Sequence, residues 1–364
     1  LHALASNIVG NSATAIGYDA MRYANSSTES FTNFNVALGY EAVRGSTDPA
    51  SNTGNDNTAL GYQTLRSNTT GEGNTASGSG ALFYNTTGFA NTATGTYSLN
   101  NNSIGNNNTA IGYRALASST TGNFNTASGS NALSYNTTGL WNTGIGSNAL
   151  YFNIEGNANV AVGNAALLSN ATGSSNTANG TDALFWNISG SSNTAIGHRT
   201  LFTNTTGVNN TAVGKEALLT ILTGSNNTAI GYKADVAEDA IVNATAIGSN
   251  AYAGASNSVV IGSVNGVNGA TASANVGIGT SAPDSKAILE LKSTNQGILF
   301  PRLTSLQRNA IVNPPDGLHL YNTDERCLNY YDSLYRAWDC YCVQDTCNMI
   351  TIRISGNQCD INFQ

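Results

Sequence analysis

Charge is the first thing this chain lacks. Only 10% of its 364 residues are charged, against about 25% in a typical soluble protein. Lysine occurs four times and proline five times. A helix-rich enzyme would carry more of the good helix formers Lys, Glu, Leu and Gln. A collagen would need far more proline and a glycine at every third place. The balance of charge is −7 with a pI near 4.8, and the basic stripe expected of a nucleic-acid binder is missing. No apolar run reaches the roughly 18 residues of a membrane-spanning helix. The first residues, Leu1-His2-Ala3-Leu4-Ala5, carry no basic stretch of the kind that opens a secretion signal. They already read as repeat, so a mature or partial segment of a longer protein is expected. The chain is nonetheless 40% hydrophobic, too apolar for a disordered tail.

Catalytic groupings are also missing. The three histidines, His2, His198 and His319, are far apart, and His198 occupies a variable place of the repeat described below. Glu155 has no acidic partner at the equivalent place of the coils on either side, so paired-carboxylate glycosidase chemistry has no candidate pair. No Walker-type G-x-x-x-x-G-K-[ST] occurs. The reading is therefore no enzyme, no catalytic residue, no cofactor and no metal site.

What is abundant is asparagine, 52 residues, and glycine, 39. Most of it is periodic. Asn57, Asn74, Asn91, Asn108, Asn125, Asn142, Asn159, Asn176, Asn193, Asn210 and Asn227 follow one another at 17-residue steps. Each opens a unit of the form N-T-A-x-G-x-x-A-L-x-x-N-x-x-G-x-x. Upstream, Gly17, Gly39 and Gly61 are 22 apart; downstream, Gly231, Gly248, Gly262 and Gly279 step by 17, 14 and 17. A 17-residue period is too short for helical hairpin repeats and suits one coil of a β-solenoid. Stacked coils place equivalent residues about 4.8 Å apart.

The ninth place is leucine without exception at Leu65, Leu82, Leu99, Leu116, Leu133, Leu150, Leu167, Leu184, Leu201 and Leu218. This column is expected to be the core, together with alanines and an occasional isoleucine. The uniformly small third place implies close packing, against the opposite wall or a neighbouring chain. Asparagines at the twelfth place are expected to stack their amides. Glycines at the fifth and fifteenth places are expected to supply left-handed backbone or close approach at corners. So thin a coil buries little apolar surface, and part of the core is expected to form between chains. Asn-x-Ser/Thr triplets recur because the repeat itself contains N-T-T, so they are weak evidence of glycosylation.

Segments such as NTAIGY at 108–113, NTAIGH at 193–198, ATAIGS at 244–249 and NSVVIG at 257–262 resemble the head repeats of YadA-type trimeric autotransporter adhesins. That resemblance implies a left-handed parallel β-roll assembled as a homotrimer. The family repeat is usually 14 residues, a step found here only between Gly248 and Gly262. Residues 275–311 and 317–342 resemble the segment that follows such repeats in surface and tail-fibre-like proteins of Bacteroidota. This implies a secreted or particle-borne fibre, at the cell surface or on a phage or injection-system appendage.

The expected fold is thus all-β: a parallel β-solenoid over 1–280, with 22-residue coils to about 56, 17-residue coils over 57–242 and shorter coils to 280. A small β-rich cap occupies 281–364. All five cysteines, Cys327, Cys340, Cys342, Cys347 and Cys359, fall in that cap and are read as disulfide candidates in an oxidising exterior, with zinc as the rival reading; five being odd, at least one is expected to be free or to pair between chains. A strand over 287–291, a short helix over 304–311, a hairpin of 318–321 with 328–331, and a last strand at 350–354 are expected. Trp338 and Tyr341 are read as cap core.

Aromatics at the tenth and eleventh places, Phe83, Tyr84, Tyr135, Tyr151, Phe152, Phe185, Trp186 and Phe202, are candidates for an adhesive surface; packing between coils or chains is the competing reading. The functional expectation is a rigid trimeric fibre whose partners are itself and an unknown receptor or glycan, with no nucleic acid. Alternatives are an ice-binding solenoid, suggested by the threonines at the second place, and the non-catalytic stalk of a larger fibre.

Overall fold

The computed structural model describes residues 2–7, 10–26, 31–237, 239–341, 354–355 and 358–359. The chain divides into two compact units, Leu1–Gly277 with Ala282–Glu290, and Ile278–Ser281 with Leu291–Gln364.

The first unit is a parallel β-solenoid. Its main sheet has 15 strands, each contributing three residues per coil, from Thr14–Ile16 to Val259–Ile261. Register follows the repeat: Thr109 faces Thr126 and Ala110 faces Ala127. The 22-residue coils keep the same register, with Val36 opposite Thr58; the second one loops its extra residues out after Gly45, through a single turn at Pro49–Ser51. Fourteen steps of about 4.8 Å give the stack a length of roughly 67 Å.

Within each strand the period of two sets the inside and the outside. The central alanine is fully buried while its neighbours face outward, as in Thr109–Ile111. The fourth-place isoleucines therefore lie outside the core; among the described residues the occasional core isoleucine is Ile221, at the twelfth place. The ten ladder leucines are fully buried, as is the small eighth place. The alanine column packs on the opposite wall: at its one exception, Gly144, a Cβ would lie 3.3 Å from Leu133 Cγ. One chain thus closes the leucine–alanine core by itself, and nothing in that core waits for a partner.

Two asparagine columns complete the interior. At the first place, Asn74 Nδ2 donates to Gly88 O at 2.8 Å and Asn57 Oδ1 accepts from Asn74 N at 3.0 Å. At the twelfth place, Asn153 Nδ2 donates to Asn136 Oδ1 at 2.7 Å and to Gly156 O at 2.9 Å. Buried amides are tolerated because each finds partners in its own coil and the next. Where the twelfth-place column is interrupted, partners run out. Ser119 follows Asn102 and Ile221 follows Asn204, and the buried oxygens Asn102 Oδ1, Asn204 Oδ1 and Ser119 Oγ have no protein partner.

Both glycine columns are dictated by close approach. Gly112 has φ +130°, and a Cβ there would lie 2.5 Å from Gly129 O. The fifteenth-place glycines lie against the asparagine amides and the glycine carbonyl of the next coil.

The second unit carries a four-stranded sheet in the order Arg302–Leu303, His319–Asn322, Cys327–Asp332, Ala337–Cys340. The last three strands are antiparallel. Leu289–Leu291 is extended. The helix is Ser305–Asn309, opened by a capping box in which Thr304 and Gln307 satisfy each other's backbone. Arg308 is buried and donates from Nη1 to Glu325 and to Asn329 Oδ1 at 2.8 Å. Cys327 and Cys340 form a disulfide across two neighbouring strands. Cys342, Cys347 and the side chain of Cys359 lie outside the described residues, as does most of the strand expected over 350–354; Ile354–Ser355 pairs with Gln358–Cys359.

Candidate interaction surfaces

Because the core is closed, function must sit on the outside of the coils. The strand faces present two parallel rows. Threonines fill the second place almost continuously, and the fourth place is apolar and exposed at Ile16, Leu38, Leu60, Ile111, Ile145, Ile196, Ile230, Ile247 and Ile261. The threonine row is thus single, flanked by a mostly apolar row interrupted at Ser77, Thr94, Ser128 and Asn179 rather than by a continuous second hydroxyl row.

Beside this face, at the sixth place, Tyr18, Tyr40 and Tyr62 stack with ring centroids 5.3 Å apart. The next residues at that place, Ser79 and Thr96, end the stack. Next to it, at the seventh place, Glu41 accepts from Arg66 Nε at 2.7 Å and from Gln63 Nε2 at 2.8 Å. Burial alone would raise the Glu41 carboxyl, but these hydrogen bonds and the charges of Arg66 and Arg44 outweigh it and hold the group below its ordinary range.

The candidate adhesive aromatics gather into three separate clusters rather than one ladder. Phe83 and Tyr84 meet edge to face at 4.5 Å, with the Arg66 guanidinium 5.3 Å over Phe83. Tyr135 contacts both Tyr151 at 5.0 Å and Phe152 at 5.5 Å. Phe185 contacts both Trp186 at 4.8 Å and Phe202 at 5.3 Å, and Arg199 covers Phe202 at 4.4 Å. Between clusters the tenth and eleventh places hold small or aliphatic residues such as Ala117-Ser118 and Leu168-Ser169. In each cluster a half-buried ring supports an exposed one; Trp186 is 49% exposed. A fourth pair went unread in the sequence: Phe124 and Trp141, stacked at 6.2 Å and both exposed. Their recurrence at the seventeenth place of consecutive units was the available signal.

In the second unit, apolar side chains lie open. Leu299, Leu306, Val312 and Leu334 are each about four-fifths exposed. Ile278, Leu291, Ile298 and Phe300 line an apolar groove of about 560 Å³. Exposed on loops, the short helix and a turn around the small sheet, Leu299, Leu306, Val312 and Leu334 are candidates for an association surface. Trp338 is half-buried against Tyr331. Tyr341, by contrast, is exposed, stacks on His319 at 5.6 Å and places its hydroxyl 3.1 Å from His319 Nε2. It is therefore a surface ring and not cap core, because it leaves the sheet one residue after Cys340.

Among the described residues, no group of three or more His, Cys, Asp or Glu is placed to hold a metal ion, and no helix is long and apolar enough to cross a membrane.

Residues 277–348 match the family model of the phage tail like trimerisation region. No curated protein matches the chain.

Proposed function

We propose that this chain is a non-enzymatic structural fibre protein. Three copies associate through residues 277–348, and the solenoid forms a rigid element carrying adhesive aromatic clusters. The observation that carries this reading is the trimerisation-region match on a unit whose apolar side chains Leu299, Leu306, Val312 and Leu334 stand in solvent. The exposed fourth-place row on the solenoid gives a second surface along which copies of the chain can meet, since it is mostly apolar and in register from coil to coil. Such an assembly belongs outside the cell, on a surface or on an appendage resembling a phage tail. The resemblance of the repeats to adhesin heads supports the same placement.

Adhesion is assigned to the aromatic clusters because they combine a rigid support with an exposed ring, the arrangement that concentrates binding energy. A glycan array probed with the full chain tests this. Binding is expected, and expected to fall when Phe185→Ala is combined with Trp186→Ala. Undiminished binding by that variant would remove this cluster from the adhesive surface.

A further inference from the structure

The tyrosine stack ends in a slot. Tyr62 belongs to one coil, Ser79 and Gly80 to the next, and Tyr97 to the one after. Gly80 N donates to Tyr62 O and Tyr97 N to Ser79 O, both at 2.9 Å, so the three coils are in direct succession. Gly80 is the one glycine at a seventh place otherwise filled by larger side chains, and its bare Cα faces the Tyr97 ring. Tyr62 at the sixth place, Tyr97 at the seventh, and Phe83 with Tyr84 wall a cleft of about 160 Å³ over Ser79 and Gly80. A cavity of about 150 Å³ takes a single benzene-sized ring. Tyr62 and Tyr97 are 52% and 47% exposed, so their ring faces are available.

The edges of the cleft are polar and uncharged. Gln63 Nε2 is committed to the ionised, acceptor-only Glu41, which turns Gln63 Oε1 away as a free acceptor. Asn100 Nδ2 is committed to Gly80 O at 2.8 Å, leaving its Oδ1. Ser79 adds a hydroxyl. Two aromatic faces suit the apolar C–H face of a sugar ring, because ring faces are electron-rich. Neutral oxygen acceptors at the rim suit its hydroxyls. An anionic ligand would find no cation in the lining, on a chain that is itself net negative.

We propose that this cleft binds one neutral pyranose ring. The inference rests on the adhesion reading and narrows its ligand to a saccharide held in a cleft whose wall includes the Phe83–Tyr84 cluster and neither of the other two.

Two variants test it with the fold preserved. Gly80→Asn plugs the slot and pushes the Tyr97 ring aside, since a Cβ there would lie 2.8 Å from Tyr97 Cδ1; the backbone accepts it, because asparagine already occupies the same place at Asn131, Asn148 and Asn250 with φ of 57° against 65° for Gly80. Tyr62→Ser removes one wall, and serine already fills that place at Ser79, Ser130, Ser147 and Ser249. Saturation-transfer NMR on the full chain would use the methyl pyranosides of glucose, galactose, mannose and N-acetylglucosamine at millimolar concentration, with p-cresol as a phenol control. Transfer is expected to at least one sugar, reduced about tenfold or more in affinity by either variant and unchanged by Trp186→Ala. Equal transfer in Gly80→Asn would overturn the slot while leaving adhesion through the other aromatics standing. Transfer to none of the sugars, or to p-cresol alone, would overturn the pyranose assignment whatever the glycan array reports.

Discussion

Leucine at the ninth place buries its whole side chain while its backbone takes φ between 47° and 53°. That left-handed conformation costs a non-glycine residue of order 1 kcal/mol, and full burial of a leucine returns about 1.5–3 kcal/mol. The column of identical residues made the burial readable in the sequence. The conformation was not readable, because left-handed backbone is normally flagged by Gly or Asn. The interior asparagines were half legible: the twelfth-place ladder stands out as a stack, but the first-place residues look like turn formers until their amides are seen bridging coils. The gaps in the ladder make a prediction. Ser119→Asn should reconnect Asn102 to Asn136 and raise stability by about 1 kcal/mol, the usual net gain from a buried hydrogen bond, seen as a higher denaturation midpoint. A lower midpoint would mean the amide does not fit there.

Asp235 makes a second prediction at this scale. It stands at the ninth place, where the leucine column ends, accepting from Thr220 Oγ1 at 3.2 Å and Val236 N at 2.9 Å. Burial pushes its carboxyl up to about 6, against a partial opposing pull from those donors. The folded chain therefore binds the proton more tightly than the unfolded chain. This group's contribution is greatest below about pH 3.8 and declines by about 3 kcal/mol as pH rises through about 6, then stays flat. The difference in stability between the wild type and Asp235→Asn, followed by urea unfolding from about pH 4 to pH 7, should carry that slope. Parallel pH profiles would show that Asp235 is not the titrating group.

The element that matters is the coil. Its period and closure could be read from spacing because one structural decision is repeated many times. The fourth place, filled by both Ile and Ser, could be read only as partly buried; the three-residue strand, with alanine at its centre, turns isoleucine outward. In the cap the hairpin was legible from its turn and its alternating flanks. The strand Ala337–Cys340 was not, because Trp338-Asp339-Cys340 is short and mixed in polarity. Its register makes Cys327 and Cys340 reachable, a pairing that cysteine spacing left open. The cross-link closes a separation of 13 residues and should contribute about 3 kcal/mol. Cys327→Ser with Cys340→Ser should lower the melting temperature of the cap while the solenoid signal holds. An unchanged cap transition would show that the bond is not structural.

At the scale of the molecule, the solenoid is a one-dimensional array in which each coil leans on its neighbours. Its interior is complete in one chain, so folding of the shaft does not require association. The features pointing to association lie elsewhere: the open apolar side chains of the second unit, the match over residues 277–348 and the exposed fourth-place row. The sequence pointed to a trimer through its resemblance to adhesin heads, and the surfaces that would make one become visible only with the fold. The most direct test of this account is the mass of the purified full chain by analytical ultracentrifugation across a dilution series. The account predicts a particle of three times the 37.5 kDa chain, converted to smaller species by Leu299→Asp with Val312→Asp. A single-chain particle at every concentration, with residues 277–348 intact, would contradict it.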